Sequence, residues 1–344
     1  MTDGRNILVT GGAGYIGSHA CKALAAAGYT PIAFDNLVSG HKWAVKWGPL
    51  VEGDILNRSQ LQGALRQYQI KTVMHFAAFA DVGESVERPL DYYRNNVAGT
   101  LNLLEAMHEE GVNRLVFSST CATYGIPQIV PIPESHPQNP INPYGTSKRI
   151  NECMLQDVGA SDDLRSISLR YFNAAGADPY GDIGEERHSE GHLIPLVLQV
   201  AAGQRSHITI FGTDYNTPDG TCVRDYIHVA DLAEAHVLAL EVLEKGDAFK
   251  CYNLGTGKGF SVREVVDTAI SVTGRSIVAH EGPRRAGDPP CLVADPSRAR
   301  DELGWKPRYN DLSEIIATAW NWNLSRQARR AAQTSNIDQS KVAF

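Results

Sequence analysis

Asn6-Ile7-Leu8-Val9-Thr10-Gly11-Gly12-Ala13-Gly14-Tyr15-Ile16-Gly17 begins as a short apolar run and passes directly into glycines. The run reads as a buried strand. Gly11, Gly14 and Gly17 have the spacing G-x-x-G-x-x-G, and an Ala/Leu-rich helix follows to Ala27. Gly28 ends that helix as a C-cap glycine does. Pro31-Ile32-Ala33-Phe34-Asp35 is the next strand, closing on an acid. This is a β-α-β unit. Its glycines permit a tight turn and let the backbone approach a pyrophosphate seated on the helix N-terminus. Asp35 stands about twenty residues on, where a carboxylate accepts hydrogen bonds from an adenosine ribose. A 2′-phosphate would face that negative charge, so the expected cofactor is NAD rather than NADP.

Working outward, strands are expected at 50–54, 72–76 and 114–118, with helices over 58–67 and 91–110 between them. Such alternation predicts an α/β fold, a Rossmann-type doubly wound parallel sheet whose ligands bind beyond the carboxyl ends of its strands. Asp54, Phe76-Ala77-Ala78, Asn95 and Ser118-Ser119-Thr120 fall at such ends. The last three hydroxyls could equally be turn caps.

Asn142-Pro143-Tyr144-Gly145-Thr146-Ser147-Lys148 reads as the start of a helix, with Pro143 at an early position that needs no N–H. Tyr144 and Lys148 then share one face. An ammonium close to a phenol favours the phenolate, so Tyr144 is a candidate general base. Alone, the pair is also compatible with a surface tyrosine and a solvated lysine.

With 344 residues and a net charge of −7, the chain is long enough for one large or two packed domains. No Lys/Arg run marks a nucleic-acid or membrane surface. No apolar run approaches the ~20 residues that cross a bilayer. Cys21, Cys121, Cys153, Cys222, Cys251 and Cys291 are scattered without metal-ligand spacing, so no metal site is expected and the thiols read as reduced and cytoplasmic. After a strand at 166–169 the composition changes to a Gly/Pro/acid-rich loop over 174–190, a short strand near 207–211 and an amphipathic helix over 230–243. Two domains are expected: 1–173 binding NAD, and a smaller α/β domain over 174–324 binding the substrate. Segments around 224–243 are free to pack back on the first. Residues 325–344 read as a loosely held polar tail.

Together, Thr10 to His19, Val82-Gly83-Glu84-Ser85, Tyr144 to Lys148, Arg170-Tyr171-Phe172-Asn173 and Val223-Arg224-Asp225-Tyr226-Ile227-His228-Val229 resemble the extended short-chain dehydrogenase/reductase family, and within it the branch that inverts C4 of UDP-hexoses. The likeness runs from about residue 6 to about residue 322. It implies NAD-dependent interconversion of UDP-galactose and UDP-glucose through a 4-keto sugar, in galactose metabolism. It implies an NAD site of Gly11, Gly14, Tyr15, Ile16, Gly17, Asp35, Asn36, Asp54, Ile55, Phe76, Ala77, Ala78, Asn95, Ser118, Tyr144, Lys148 and Phe172. Thr120, Tyr144 and Lys148 would carry the chemistry. Thr120, Tyr144, Asn173, His192, Leu193, Phe211, Arg224, Tyr226, Arg285 and Asp288 would hold the UDP-sugar.

The resemblance further implies a homodimer pairing through helices 91–110 and 144–158, whose Leu101, Leu104, Met154 and Leu155 need not all meet the sheet. Departures from the family pattern are Ala80 in place of a pyrophosphate-directed Lys, His192 in place of Asn, and Leu292 where the sugar 2-substituent is limited. Epimerases of UDP-N-acetylhexosamines or UDP-pentoses are the near alternatives. A 4,6-dehydratase needs an acidic pair after the active-site Thr, and here Cys121-Ala122 follows Thr120. A dinucleotide-binding protein without catalysis would not need Tyr144 and Lys148 together, and a net-oxidising dehydrogenase would need NAD supplied at each turnover.

Overall fold

A computed structural model describes residues 5–187, 190–246, 249–285 and 287–341. In chain order the elements begin with β1 (Asn6–Thr10), α1 (Tyr15–Ala26), β2 (Thr30–Asp35), β3 (Leu50–Glu52), α2 (Arg58–Gln67) and β4 (Thr72–His75). They continue with α3 (Val82–Glu87), α4 (Pro89–Tyr92), a π-helical turn (Tyr93–Ala98), α5 (Gly99–Glu109), β5 (Arg114–Thr120), α6 (Pro143–Ser161) and β6 (Arg165–Tyr171). The second half adds β7 (Asn173–Ala175), α7 (Leu193–Ala201), β8 (Ile208–Phe211), β9 (Val223–Arg224), β10 (Tyr226–His228), α8 (Val229–Lys245) and β11 (Phe249–Leu254). Then come β12 (Phe260–Ser261), α9 (Val262–Thr273), β13 (Ala279–Gly282), β14 (Cys291–Leu292), α10 (Ser297–Leu303) and α11 (Leu312–Lys341).

Seven parallel strands form the central sheet in the order β11-β6-β5-β4-β1-β2-β3. The order reverses between β1 and β4, and a crevice opens there beyond the strand ends. The sheet is buried on both faces because helices cover both, so most of its residues are apolar and those that are not, such as His75, Ser119 and Arg170, are hydrogen-bonded inside. Leu24 of α1 and Leu232, Ala235, Ala239 and Leu240 of α8 bury one face, with Trp305. Leu61, Leu65, Leu103, Leu104, Met107 and Leu155 bury the other. A separate core of Ile194, Val197, Leu198, Val265, Val266, Ile315 and Ile316 holds α7, α9 and α11 together.

Four expectations change. The helix over 91–110 is interrupted by the π-helical turn, so Asn95 and Asn96, adjacent in sequence, are both buried. A π turn inserts a residue and rotates the helix phase. Residues 249–254, unassigned from sequence, form the sheet's last strand. Helix α11 enters the polar stretch from Ser325, and its start there is held: Arg326 pairs with Glu186 at 2.7 Å and Arg329 Nη2 donates to the Gly181 carbonyl at 3.1 Å. Residues 342–344 of that stretch, and 188–189 of the 174–190 loop, lie outside the described residues. Of the four residues suggested for pairing, Leu104 and Leu155 are core and Met154 packs against it, because α5 and α6 bury those positions on the sheet. Only Leu101 is exposed.

Asp225 locks segments of the second half of the chain to the end of the sheet. Its buried carboxylate accepts from the Thr256 N–H and hydroxyl at 2.8 Å each, from Gly257 N–H at 3.0 Å and from Ala294 N–H at 3.2 Å. Removing it leaves three backbone N–H groups without that acceptor, while the Thr256 hydroxyl keeps the Lys258 carbonyl at 3.2 Å. Asp225→Ala is expected to cost about 3 kcal/mol. Urea unfolding checks this; a loss within the error of the extrapolation would show that the donors find other partners.

Candidate active site

The crevice starts at the β1–α1 turn. Gly11 has φ +73, and a Cβ there would lie 2.7 Å from Ala77 N. A Cβ on Gly17 would lie 2.1 Å from the Gly11 carbonyl oxygen. Side chains are therefore excluded where β1, α1 and the end of β4 meet. Gly14 caps α1 without a side-chain hydrogen bond, leaving the helix N-terminus open to an anion. Asp35 Oδ2 accepts from Ala13 N–H at 3.0 Å and Oδ1 from Leu37 N–H at 2.8 Å, which aims the carboxylate at the crevice mouth. Burial raises its pKa against those two bonds. Asn36 Nδ2 donates to Asp54 Oδ2 at 3.0 Å.

Gly11, Gly14, Asp35, Asn36, Ile55, Phe76, Ala77, Ala78 and Asn95 line one cleft. Phe34, Val38, Ser39, Gly40, Gly53 and Phe79 line it too and were not singled out from the sequence. Gly40 carried a signal: a Cβ there would lie 2.8 Å from Asp35 Oδ1. The Tyr15 hydroxyl donates to the Gly176 carbonyl at 2.6 Å, so its ring ties α1 to the 174–190 loop. An open helix N-terminus, a backbone cradle that any Cβ would fill and a carboxylate at the ribose position fit a bound NAD.

Next to this cleft, Asn142 caps α6, its Oδ1 accepting from Gly145 N–H at 2.8 Å, with Pro143 in the first turn. That cap sets where Tyr144 and Lys148 emerge. Both are buried, and Lys148 Nζ donates to the Ser118 carbonyl at 2.7 Å and lies 4.8 Å from the Phe117 ring. Ser118 Oγ bonds the Tyr171 hydroxyl. Asn96, brought inward by the π turn, donates to Ser147 Oγ at 3.1 Å and clamps both backbone groups of Phe79.

The expected low pKa of Tyr144 is corrected. Burial pushes the phenol up to about 12, with the Thr120 hydroxyl at its oxygen opposing. Burial equally pulls Lys148 down to about 7, against the pull of Glu152. Desolvation disfavours both charged forms, and it outweighs the attraction that sequence spacing suggested. Thr120 closes β5, and its Oγ1 accepts from Ala122 N–H at 3.1 Å.

The residues expected at the substrate fall into two groups. Arg224 pairs with Asp288, Arg285 Nη2 donates to Asp288 Oδ2 at 3.2 Å, and the Arg285 guanidinium lies 5.0 Å from the Phe211 ring centre. Asn173 and Tyr226 are paired neighbours on β7 and β10. Leu292 pairs with Arg224 and packs against a cluster that includes Cys121 and Phe172. His192 and Leu193, at the start of α7, belong to the second group. His192 Nδ1 lies 2.8 Å from Glu185 Oε1, which also accepts from Arg187 Nε at 2.7 Å. Burial would raise the Glu185 pKa, but His192 and Arg187 hold its carboxyl well below the usual carboxylate range. Glu185, Glu190 and His192 place ligand atoms within 4.8 Å of one another, a grouping that sequence spacing did not announce. Arg187 also sends its charge toward Tyr144.

The model of the NAD dependent epimerase/dehydratase family matches residues 7–255. A UDP-glucose 4-epimerase of Rhizobium leguminosarum bv. trifolii is 53% identical over 320 residues, 93% of this chain and 98% of that one. The crystal structure of UDP-glucose 4-epimerase from Brucella ovis in complex with NAD superposes with a TM-score of 0.90 at 52% identity, covering 92% of this chain and 98% of that one. The enzyme from Bifidobacterium longum, in complex with NAD+ and UDP, gives a TM-score of 0.89 at 39% identity over 93% and 98%.

Gly17→Ala tests the cradle. Overpacking of this kind costs about 1–3 kcal/mol, so NAD affinity is expected to fall roughly tenfold or more. NAD released by acid from the purified protein measures it; undiminished NAD content would mean that the turn tolerates a methyl group.

Proposed function

Because the chain belongs to the NAD dependent epimerase/dehydratase family, we propose that it interconverts UDP-glucose and UDP-galactose by inverting C4 with NAD. The observation that carries the mechanism is the meeting of Thr120, Tyr144 and Lys148 at the end of β5, beside the NAD cradle. NAD, held by the Gly11–Gly17 turn and Asp35, would supply the hydride acceptor and donor for the sugar C4. Tyr144 removes the O4 proton as the hydride leaves and returns it after the 4-keto sugar has turned over. Its phenol starts from a high pKa, so the proton moves only where the anion is supported. Thr120 donates to the phenolate oxygen, and Lys148, held on the Ser118 carbonyl one turn along α6, supplies positive charge when protonated.

In this reading Arg224 and Arg285 bind the pyrophosphate of UDP, and Asp288, Phe211, Asn173, Tyr226, His192 and Leu193 complete the nucleotide grip. A dehydratase would need an acid after Thr120. Cys121 stands there, its thiol pushed up to about 12 by burial, followed by Ala122. Residues 1–173 with β10, α8 and β11 packed back on them hold NAD; the rest to about residue 324 holds the sugar nucleotide, with α11 running on beyond. The cytoplasm and galactose metabolism belong to the same reading. Among the described residues no helix is long and apolar enough to cross a membrane.

Purified protein given UDP-galactose, without added NAD, is expected to release UDP-glucose steadily, followed through UDP-glucose dehydrogenase. Tyr144→Phe is expected to lower that rate by roughly 10²–10⁴ while UDP still binds. An unchanged rate would remove Tyr144 from the chemistry. Pairing of two copies through α5 and α6 is also proposed, supported by exposed Leu101 on α5. Light scattering should give the mass of two chains, and a one-chain mass would end that proposal.

A further inference from the structure

Behind Lys148 stands a buried charge cluster to which the reaction above gives no task. Glu152 follows Lys148 by one turn of α6, and its side chain is 1% exposed. Arg170 of β6 grips it, Nε donating to Oε1 at 2.9 Å and Nη2 to Oε2 at 2.5 Å. Ser119, between Ser118 and Thr120 on β5, donates its hydroxyl to Oε1, and Gln138 Nε2 donates to Oε2 at 2.9 Å. Arg170 Nη1 donates to the Tyr124 hydroxyl at 3.0 Å and the Glu134 carbonyl at 3.2 Å. The carboxylate is thus fixed from α6, β5, β6 and the 121–142 segment. A buried ion pair is a poor way to gain stability alone.

The ionisable groups around Lys148 are few. Tyr144 lies one turn away on α6, His75 faces it from β4, and Tyr171 and Arg170 come from β6. Burial keeps the Tyr144 and Tyr171 phenols protonated and His75 neutral, and Arg170 is engaged with Glu152. Glu152 is therefore the anion that works against the burial of the ammonium.

We propose that Glu152, locked by Arg170, Ser119 and Gln138, is a positioning residue that keeps Lys148 charged at Tyr144 and holds the end of β5, with Ser118 and Thr120, in register with α6. The proposal rests on the reaction above for the task of Lys148. Removing the carboxylate charge makes the buried ammonium easier to deprotonate, so the charge of Lys148 is lost at lower pH. An opposite charge at this range moves a titration by about one unit or more.

The test titrates Lys148 itself. In ¹³C-lysine-labelled protein with its NAD, the Lys148 ε-carbon resonance is assigned by its absence in Lys148→Arg. In Glu152→Gln its midpoint is expected to fall by about one pH unit or more, with the alkaline limb of turnover falling alongside, and Glu152→Asp is expected to restore both. Glu152→Met with Arg170→Met removes both charges together, supplies folded protein where the single change does not, and is expected to shift the midpoint the same way. A midpoint that stays in place in whichever variant folds overturns the proposal. A shifted midpoint in protein whose wild type does not turn over UDP-galactose counts against the reaction and not against Glu152.

Discussion

The rest of the molecule depends on a close approach of backbone to backbone at Gly11. There β1 turns into α1, and the contact with Ala77 leaves no room for a Cβ. Because the turn is that tight, the open N-terminus of α1 faces the gap between β1 and β4, where the strand order reverses. Because Gly17 sits directly on the Gly11 carbonyl, α1 cannot slide along β1. The Asp35 carboxylate is oriented by Ala13 N–H, which the same turn provides. A single constraint, the absence of side chains at a few positions, thus places the phosphate end and the ribose end of the cofactor site together.

Desolvation is the second organising force, and it acts against function unless opposed. A phenol and an ammonium buried side by side both move toward neutrality. The chain answers with fixed polar groups: Thr120 at the phenol oxygen, the Ser118 carbonyl on the ammonium, and Glu152 one turn behind. All three are held by elements that meet at the carboxyl end of β5. The buried network below them, His75 between the Thr10 and Thr100 hydroxyls and Asn151 on Thr100 and the Asn96 carbonyl, ties β1, β4, α5 and α6 so that this meeting point is rigid.

Much of this was legible in the chain, and the exceptions have physical causes. The β-α-β unit was readable because apolar runs, glycines and a terminal acid are local signals. The Tyr144–Lys148 pair was readable because helix geometry is local too. The sign of the Tyr144 shift was not, since burial is a property of the assembled core. The strand at 249–254 gave no alternation, because a parallel strand covered on both faces needs none. The π turn was hidden because a shift of helix phase depends on which side chains the assembled core buries; the paired burial of Asn95 and Asn96 shows it. The helix after Ser325 is polar, and its fixed start comes from partners far away in sequence, Glu186 and Gly181.

The same contrast bears on how a sugar can be released, turned and recaptured. The charged contacts of the second half gather where the nucleotide is proposed to lie: Arg224, Arg285 and Asp288, with Phe211 beneath. Past Thr120, Cys121 and Phe172 form an apolar cluster with Leu292 packed against it, which offers contact but little direction. Hydrogen bonds orient a hexose and would resist its rotation; apolar walls confine it without choosing a face. A site that must present both faces of C4 to one hydride carrier is better served by the second. The β9–β14 pairing puts Leu292 beside Arg224, so in the proposed reading the gripped nucleotide and the freer sugar meet there.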